Sequence, residues 1–272
     1  MPGSDADFAY LRAVVLEESA NVLDSSRDHL FQSRLQGVLQ GTGLKTLERL
    51  VAALRTQKAS ALRRAVAEAM TVNETSFFRD SAAFELLQKE LLPGLIRQRE
   101  SVGRLRLWSA ACSSGQEAYS LAMLVREHFP RLGSWQIEIF GTDISREMVR
   151  RACAGRYYKS ELGRGLPALY RSKYMRRCGD EWEVTPEIRQ MCRFHERNLR
   201  DGALPLENYD GILLRNVMLY FPDEMRRRLL LAIHRMLPAD GFLVLGASEQ
   251  PGLPDQFQAE LKTNACWYRP LP

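Results

Sequence analysis

The sequence predicts an α/β protein in which a mostly parallel sheet follows a helical N-terminal domain. Residues 5–70 show only the three- and four-residue spacing of apolar side chains that is typical of helices. From about residue 100, short apolar runs alternate with helical segments. Strands that alternate with helices form parallel sheets with right-handed crossovers. The 272 residues are enough for one large domain or two small ones with a real hydrophobic core.

The helical domain is predicted to span residues 1–72. The stretch DADFAYLRAVVLEESA places Phe8, Leu11 and Val15 on one face, and LKTLERLVAAL and KASALRRAVAEAM continue the helical spacing. A turn is expected at QGTG, residues 40–43. A bundle this short buries little apolar surface by itself, so we expect it to dock on the domain that follows.

The α/β domain is predicted to span residues 73–272. Strands are expected at 105–111 and 135–145, at the start of 209–221, and in GFLVLGASE. This order is typical of a Rossmann-like domain. Residues from about 165 to 197 break the alternation, because the β-leaning runs EWEV and QMCRFH follow the turn-like CGDE. A small antiparallel β insertion is therefore expected there.

Composition argues against several classes of protein. The five cysteines are scattered, with no C-x-x-C pair, and the four histidines are equally dispersed. Neither a disulfide framework nor a metal site is therefore expected. No apolar run approaches the ~20 residues that cross a bilayer, and the N-terminus lacks the features of a signal peptide. We therefore expect a cytoplasmic protein.

Positive charge is concentrated in the helical domain. Residues 27–64 contain eight basic and two acidic side chains, whereas the whole chain carries a net charge of only +5. A localised positive surface indicates an acidic partner: nucleic acid, an anionic membrane or an acidic protein. Solvated helix faces would also account for it.

The segment after the first predicted strand, SAACSSGQE, favours a nucleoside ligand over a dinucleotide. Its small residues let a ligand approach the backbone, but the G-x-G-x-x-G pattern of dinucleotide sites is absent. Glu117 lies near the start of the next helix, where a pyrophosphate would prefer no acid. A cationic ligand is therefore favoured over an anionic one.

Polar residues also follow the other predicted strands, and ligands of open parallel sheets bind at the carboxyl ends of the strands. Asp143 is placed to bind two ribose hydroxyls, although it could instead cap the next helix, a role equally open to Ser145. Arg215 and Asn216 follow the third strand, and Asn198 precedes that strand. The pattern from residues alone therefore predicts a nucleoside site.

Five segments together resemble the CheR family of chemotaxis receptor methyltransferases. They are NETSFFRD, LWSAACSSGQEAYSLAM, GTDIS, LLRNVMLYF and LPADGFLVLGASE. The resemblance covers essentially the whole chain and implies a Rossmann-like S-adenosylmethionine-dependent methyltransferase domain with a small antiparallel β insertion, preceded by an all-α domain. It further implies transfer of methyl groups to receptor glutamates, with S-adenosylhomocysteine as the second product.

The resemblance also implies roles for individual residues. The cofactor contacts that it implies are Asn73, Thr75, Arg79, Glu117, Asp143, Asn198, Leu199, Arg215 and Asn216. Arg79 and Tyr220 are the candidate catalytic residues that place the substrate glutamate. Three residues depart from the family pattern, namely Gln116, Ala118 and Ala247.

The basic helical domain then has a natural partner in the acidic methylation helices of the receptors. The residues expected to bind the receptor are Arg49, Arg55, Lys58, Arg63 and Arg64. We expect a monomer. Because the loop CGDEWEV is short, we also expect no requirement for a receptor C-terminal tail peptide.

Two other functions stay open at this point. A nucleic-acid methyltransferase would also combine a basic domain with an α/β fold, but the only aromatic residue in 27–64 is Phe31. A non-catalytic nucleoside-binding module is the second alternative, and the presence of both Arg79 and Tyr220 argues against it. In NETSFFRD, one of Phe77 and Phe78 is expected in the core and the other in the wall of the site.

Overall fold

The chain folds into two compact units, each with its own buried apolar core. The first comprises Met1–Val72 with Tyr220–Arg226, and the second Asn73–Leu219 with Arg227–Pro272. The computed structural model describes residues 3–56, 59–201, 208–262 and 265–272. No helix in these ranges is both long and apolar enough to cross a membrane.

The first unit consists of short helices. They are α1 (Asp5–Ser19), α2 (His29–Arg34), α3 (Gln36–Thr42), α4 (Leu47–Leu54) and α5 (Ser60–Ala69). Ser4 starts α1 with a reciprocal capping box, since its hydroxyl accepts from the Asp7 backbone N–H and the Asp7 carboxylate accepts from the Ser4 N–H. The turn predicted at 40–43 is wrong in extent, because α3 continues to Thr42. The helix ends at Gly43, which has a φ of +70°.

The core of the first unit is formed by the apolar helix faces. Leu11, Val15, Leu50 and Leu54 are fully buried there together with Phe31. Burying each side chain of this size contributes roughly 1.5–3 kcal/mol. The helical spacing in the sequence therefore corresponds to a packed core.

The second unit is built on a twisted sheet. Its strands, with the two sheets numbered together, are β1 (Arg104–Ala110), β2 (Gln136–Asp143), β3 (Arg156–Tyr158), β4 (Met175–Cys178), β5 (Glu181–Val184), β6 (Cys192–Glu196), β7 (Gly211–Leu214), β8 (Phe242–Leu245), β9 (Phe257–Lys262) and β10 (Ala265–Pro270). The large sheet has the order β6-β2-β1-β7-β8-β10-β9 in the described residues. Its first five strands are parallel, and β10 and β9 are antiparallel. The α/β fold class predicted from the sequence is confirmed.

Helices connect the strands of the second unit. They are α6 (Ser81–Leu86), α7 (Leu92–Gln98), α8 (Gln116–His128), α9 (Arg146–Ala154), α10 (Lys159–Leu162), α11 (Ala168–Tyr174), α12 (Pro186–Arg189) and, from Arg227 onward, α13 (Asp223–Met236). One π-helical turn, Leu87–Leu91, joins α6 to α7. Most of α8 is buried.

The β insertion differs from the prediction at both ends. The small sheet has the order β3-β5-β4, so it begins at Arg156 rather than near residue 165. The run QMCRFH, expected in the insertion, instead supplies β6, which pairs in parallel with β2 at the edge of the large sheet. Gly141 makes room for this pairing, because a Cβ there would lie 2.5 Å from the Phe194 ring.

The strand order reverses direction at β1. The chain places β2 and then β6 on one side of β1, and β7 and β8 on the other side. Ala110, at the end of β1, pairs with Thr142 of β2 and with Leu214 of β7. Ligands of open α/β sheets bind in the crevice outside the carboxyl ends of the strands at such a switch point.

Candidate cofactor site at the carboxyl edge of the sheet

The turn after β1 is held in an unusual backbone conformation. Ala111, Ser113 and Gly115 have φ values of +57°, +49° and +92°. Left-handed backbone is uncommon for residues other than glycine and clusters at functional sites. The Ser113 hydroxyl donates to the Asn73 carbonyl at 2.8 Å, which joins this turn to the start of NETSFFRD.

Gly115 is required where this turn enters α8. A Cβ at this position would lie 2.8 Å from the Ala152 Cβ on α9. The glycine thus lets α8 start close to α9, and the small residues before it keep the backbone open to a ligand.

Asp143, at the end of β2, is a buried carboxylate with acceptor capacity to spare. One oxygen accepts from the Ser113 N–H at 2.8 Å and the other from the Ser145 N–H at 2.9 Å. Burial raises the pKa of Asp143, although these backbone hydrogen bonds oppose the shift. Ser145, not Asp143, caps α9, since its hydroxyl accepts from Met148 N–H. A carboxylate accepts about four hydrogen bonds, and the Ile144 backbone N–H is a third donor to Asp143, so acceptor capacity remains for a ribose hydroxyl.

Asn198 and Leu199 follow β6 and lie beside the end of β2. The N–H of Arg197 donates to the Asp143 carbonyl at 2.8 Å, which fixes the start of this segment. The Asn198 side-chain oxygen accepts from the Arg200 N–H, and Leu199 is buried. Both residues are therefore adjacent to the acid expected to bind ribose.

Arg215, directly after β7, connects the cofactor edge with the NETSFFRD loop. Its guanidinium donates to the Glu117 carboxylate at 2.8 Å, and to the Arg79 carbonyl and the Asp80 carboxylate at 2.7 Å each. Only 2% of the Arg215 side chain is exposed, against 13% for Glu117. Ser109 donates a further hydrogen bond to Glu117. The guanidinium of Arg215 thus donates three hydrogen bonds to groups of the protein itself. The contact of Arg215 with the cofactor stays a prediction.

The two phenylalanines of NETSFFRD have different environments. Phe77 is fully buried and packs edge-on against Tyr157, with the ring centroids 5.0 Å apart. Phe78 is half-buried at a φ of +50°, and its N–H donates to the Ser120 hydroxyl. Phe77 therefore belongs to the core, and Phe78 lines a surface groove.

The loop residues expected to face the cofactor or the substrate are Thr75 and Arg79. Both are half-buried. The Arg79 guanidinium donates to the Glu74 carbonyl at 3.0 Å. This bond leaves most of the five N–H donors of Arg79 available to a substrate carboxylate.

Glu249, which follows β8, is a residue of the site that was not predicted from the sequence. Its carboxylate accepts from the backbone N–H groups of Asn216, Leu219 and Gly246, at 2.7, 3.3 and 2.8 Å. Asn216 has a φ of +59°, so Glu249 stabilises an unfavourable turn at a predicted cofactor contact. A Cβ at Gly246 would lie 2.6 Å from this carboxylate. The signal available in the sequence was an acid four residues after the end of a parallel strand.

Tyr220 ends a short 3₁₀ turn, Met218–Tyr220, and is half-buried. Its backbone carbonyl accepts from the Val22 N–H at 2.8 Å within the first unit. The role of its hydroxyl in placing the substrate stays a prediction.

The residues expected to bind the receptor differ in their environments. Arg49, Arg55 and Arg64 are exposed, with the Arg55 guanidinium 4.7 Å from the Tyr10 ring centroid. Arg63 is half-buried and forms ion pairs with two glutamates of α1, which raises its pKa. Lys58 lies outside the described residues. Among the described residues no cluster of acids, histidines or cysteines could hold a metal.

The parallel sheet, the small-residue turn after β1 and the buried acid at the end of β2 form a site suited to a nucleoside, and the comparison with known families gives the class of protein, an S-adenosylmethionine-dependent methyltransferase. The family model described as "CheR methyltransferase, SAM binding domain" matches residues 73–266. The chain belongs to this family. Its cofactor is therefore S-adenosylmethionine, and the remaining acceptor capacity of the Asp143 carboxylate suits a ribose hydroxyl of that molecule.

Curated relatives match over nearly their full lengths. Chemotaxis protein methyltransferase 1 of Pseudomonas aeruginosa is 41% identical over 263 residues, covering 95% of each chain. Chemotaxis protein methyltransferase Cher2 of Pseudomonas putida is 37% identical over 264 residues, again covering 95% of each. The chemotaxis protein methyltransferase of Vibrio parahaemolyticus is 34% identical over 259 residues, covering 94% of this chain and 93% of the relative.

Proposed function

We propose that this protein transfers the methyl group of S-adenosylmethionine to glutamate side chains of chemoreceptors. The products are glutamyl methyl esters and S-adenosylhomocysteine. The names of the full-length relatives support a role in chemotaxis. The proposed substrate class also agrees with the chemistry of the site.

The observation that carries the proposal is the environment of Arg79. Its carbonyl is bonded to Arg215, which also binds Glu117 at the cofactor edge, and its guanidinium has no acidic partner in the described residues. An arginine presents paired N–H donors that match a carboxylate. Arg79 is therefore suited to hold a substrate glutamate beside the cofactor edge.

The reaction requires no proton transfer. A glutamate side chain is ionised at neutral pH, so one of its oxygens attacks the methyl carbon directly. The new O–CH₃ bond forms as the S–CH₃ bond breaks, and the electron pair of that bond returns to sulfur. The protein contributes proximity, in-line orientation and removal of water from the carboxylate. Arg79 places the carboxylate, and Tyr220 orients it by a hydrogen bond.

The exposed basic side chains of the first unit would hold the acidic methylation helices of the receptor. Arg49, Arg55 and Arg64 are exposed and could contact the receptor, whereas Arg63 is half-buried in ion pairs with two glutamates of α1. Binding through exposed charges should weaken as salt increases. We also propose that the protein is a monomer. Its β insertion should need no receptor tail peptide, since only Gly179 and Asp180 link β4 to β5.

The experiment that tests this function uses methyl-labelled S-adenosylmethionine and membranes that contain chemoreceptors. The wild-type protein should label the receptor, and mild base should release the label as methanol, as expected for an ester. Label that resists base, or label on nucleic acid instead, would contradict the proposal. An Arg79→Lys variant should label the receptor more slowly even at saturating S-adenosylmethionine.

A further inference from the structure

A groove on the surface of the second unit begins at Arg79. It lies between the loop and helix of residues 76–88 and the segment of residues 164–170, and has a volume of about 480 Å³. Leu124 of α8 also lines it. Most of this surface is not used by the proposed cofactor contacts.

The groove is lined by three aromatic residues, the half-buried Phe78 and the buried Phe84 and Tyr170. The ring centroid of Phe78 is 5.1 Å from that of Phe84 and 4.6 Å from that of Tyr170. Phe78 stays half-buried in left-handed backbone, a conformation that costs on the order of 1–3 kcal/mol for a bulky residue. The surrounding contacts therefore hold an aromatic face towards the groove.

The rim of the groove is positive. Arg79 and Arg164 line it and have no acidic partner among the described residues. The two acids of the groove are already paired, Asp80 with the buried Arg215 at 2.7 Å and Glu85 with Lys89 at 3.2 Å. An acidic segment that also carries an apolar side chain would complement this surface.

We propose that this groove binds the part of the receptor methylation helix next to the substrate glutamate. The inference rests on the proposed function, because Arg79 belongs both to the groove and to the predicted glutamate site. On a helix, residues three, four and seven positions from the glutamate lie on the same face. An apolar side chain at one of these positions would pack on Phe78 and Tyr170, and an acidic neighbour would pair with Arg164. The groove would thus help to select which glutamates are methylated.

The test measures initial rates with a purified receptor cytoplasmic fragment at saturating S-adenosylmethionine. Arg164→Glu should raise the KM for the receptor fragment about tenfold, with kcat and the cofactor Kd from calorimetry unchanged. The matched control is Arg171→Glu, which reverses an exposed charge seven residues away that does not line the groove. Arg171→Glu should leave the KM unchanged.

A second variant tests the aromatic lining. Tyr170→Phe removes the hydrogen bond between the Tyr170 hydroxyl and His128 but keeps the ring, so it should leave the KM near wild type. Tyr170→Ala removes the ring and should raise the KM about tenfold. Melting temperatures of both variants separate a folding defect from a binding defect.

The outcomes distinguish this proposal from the proposed function. If the wild-type protein forms no base-labile ester on the fragment, the proposed function fails. If the wild type forms the ester but Arg164→Glu and Tyr170→Ala keep the wild-type KM, the groove proposal fails and the function stands. Equal KM increases for Arg164→Glu and Arg171→Glu would show that the KM depends on the overall charge of this surface. That result would also contradict the groove proposal. If the wild type binds phosphatidylglycerol vesicles and Arg164→Glu does not, while the KM for the receptor fragment is unchanged, the groove binds a membrane instead and the proposal fails.

Discussion

Replacement of Arg215 by methionine should destabilise the protein through Glu117. The substitution keeps an apolar stem of similar length but removes the cation that lies 2.8 Å from the Glu117 carboxylate. Glu117 is only 13% exposed and would keep a single side-chain partner, the Ser109 hydroxyl. Removing one partner of a buried ion pair costs roughly 3–5 kcal/mol.

Asp80 should add little to this cost. Its side chain is 42% exposed, so water can replace Arg215 there, and exposed pairs contribute about 0–1 kcal/mol. Because Glu117 keeps the Ser109 hydrogen bond, we expect the lower end of the buried range. The free energy of unfolding should therefore fall by about 3 kcal/mol.

Urea denaturation of Arg215→Met, Glu117→Gln and the double variant measures this coupling. The double variant should be more stable than the sum of the single effects predicts, by about 2 kcal/mol, because the uncharged amide that replaces the Glu117 carboxylate no longer needs the arginine. The exposed pair Arg150–Glu147 is the matched control, and its single effects should be additive because water screens the two charges. Additive single effects at Arg215 and Glu117 would refute the reasoning.

Three further predictions concern other contacts of the second unit. Glu249→Gln should weaken S-adenosylmethionine binding about tenfold in calorimetry, because an amide cannot accept from all the N–H groups of the turn that holds Asn216; unchanged affinity would contradict this. Affinity for the cofactor should fall on acidification as Asp143 is protonated, starting at a higher pH than for an exposed aspartate because burial raises its pKa, and Asp143→Asn should abolish that dependence. Arg99→Ala should lower the free energy of unfolding by about 2 kcal/mol at neutral pH. The loss should be smaller in acid, because Arg99 lowers the pKa of Asp240 and the ion pair stops stabilising the fold as pH falls through that lowered pKa. An equal loss of stability in acid would contradict this prediction.

The fold class and the position of the site follow from local sequence patterns. Glu117, Asp143 and Asn216 follow predicted parallel strands, and parallel strands end at the same edge of a sheet. The sequence therefore brings these residues to one edge without knowledge of any contact. Their direct contacts with the cofactor stay predictions.

Contacts between distant segments could not be predicted in this way. The sequence pattern wrongly placed β6 in the insertion. Its pairing with β2 depends on the fit of Phe194 over Gly141, which lies more than fifty positions earlier in the sequence. The Arg215 guanidinium is bonded to Asp80, 135 positions earlier in the chain. Glu249 acts on a turn 33 positions before it. No local spacing in the sequence encodes such pairs.

The most direct test of the proposed function is the mapping of methyl groups on a receptor fragment by mass spectrometry. We expect methyl esters on glutamate side chains after incubation with the wild-type protein and S-adenosylmethionine. A receptor fragment in which these glutamates are replaced by glutamine should stay unmodified, because an amide is not an ionised nucleophile. Methylation of the glutamine fragment, or of residues other than glutamate in the wild-type fragment, would contradict the account.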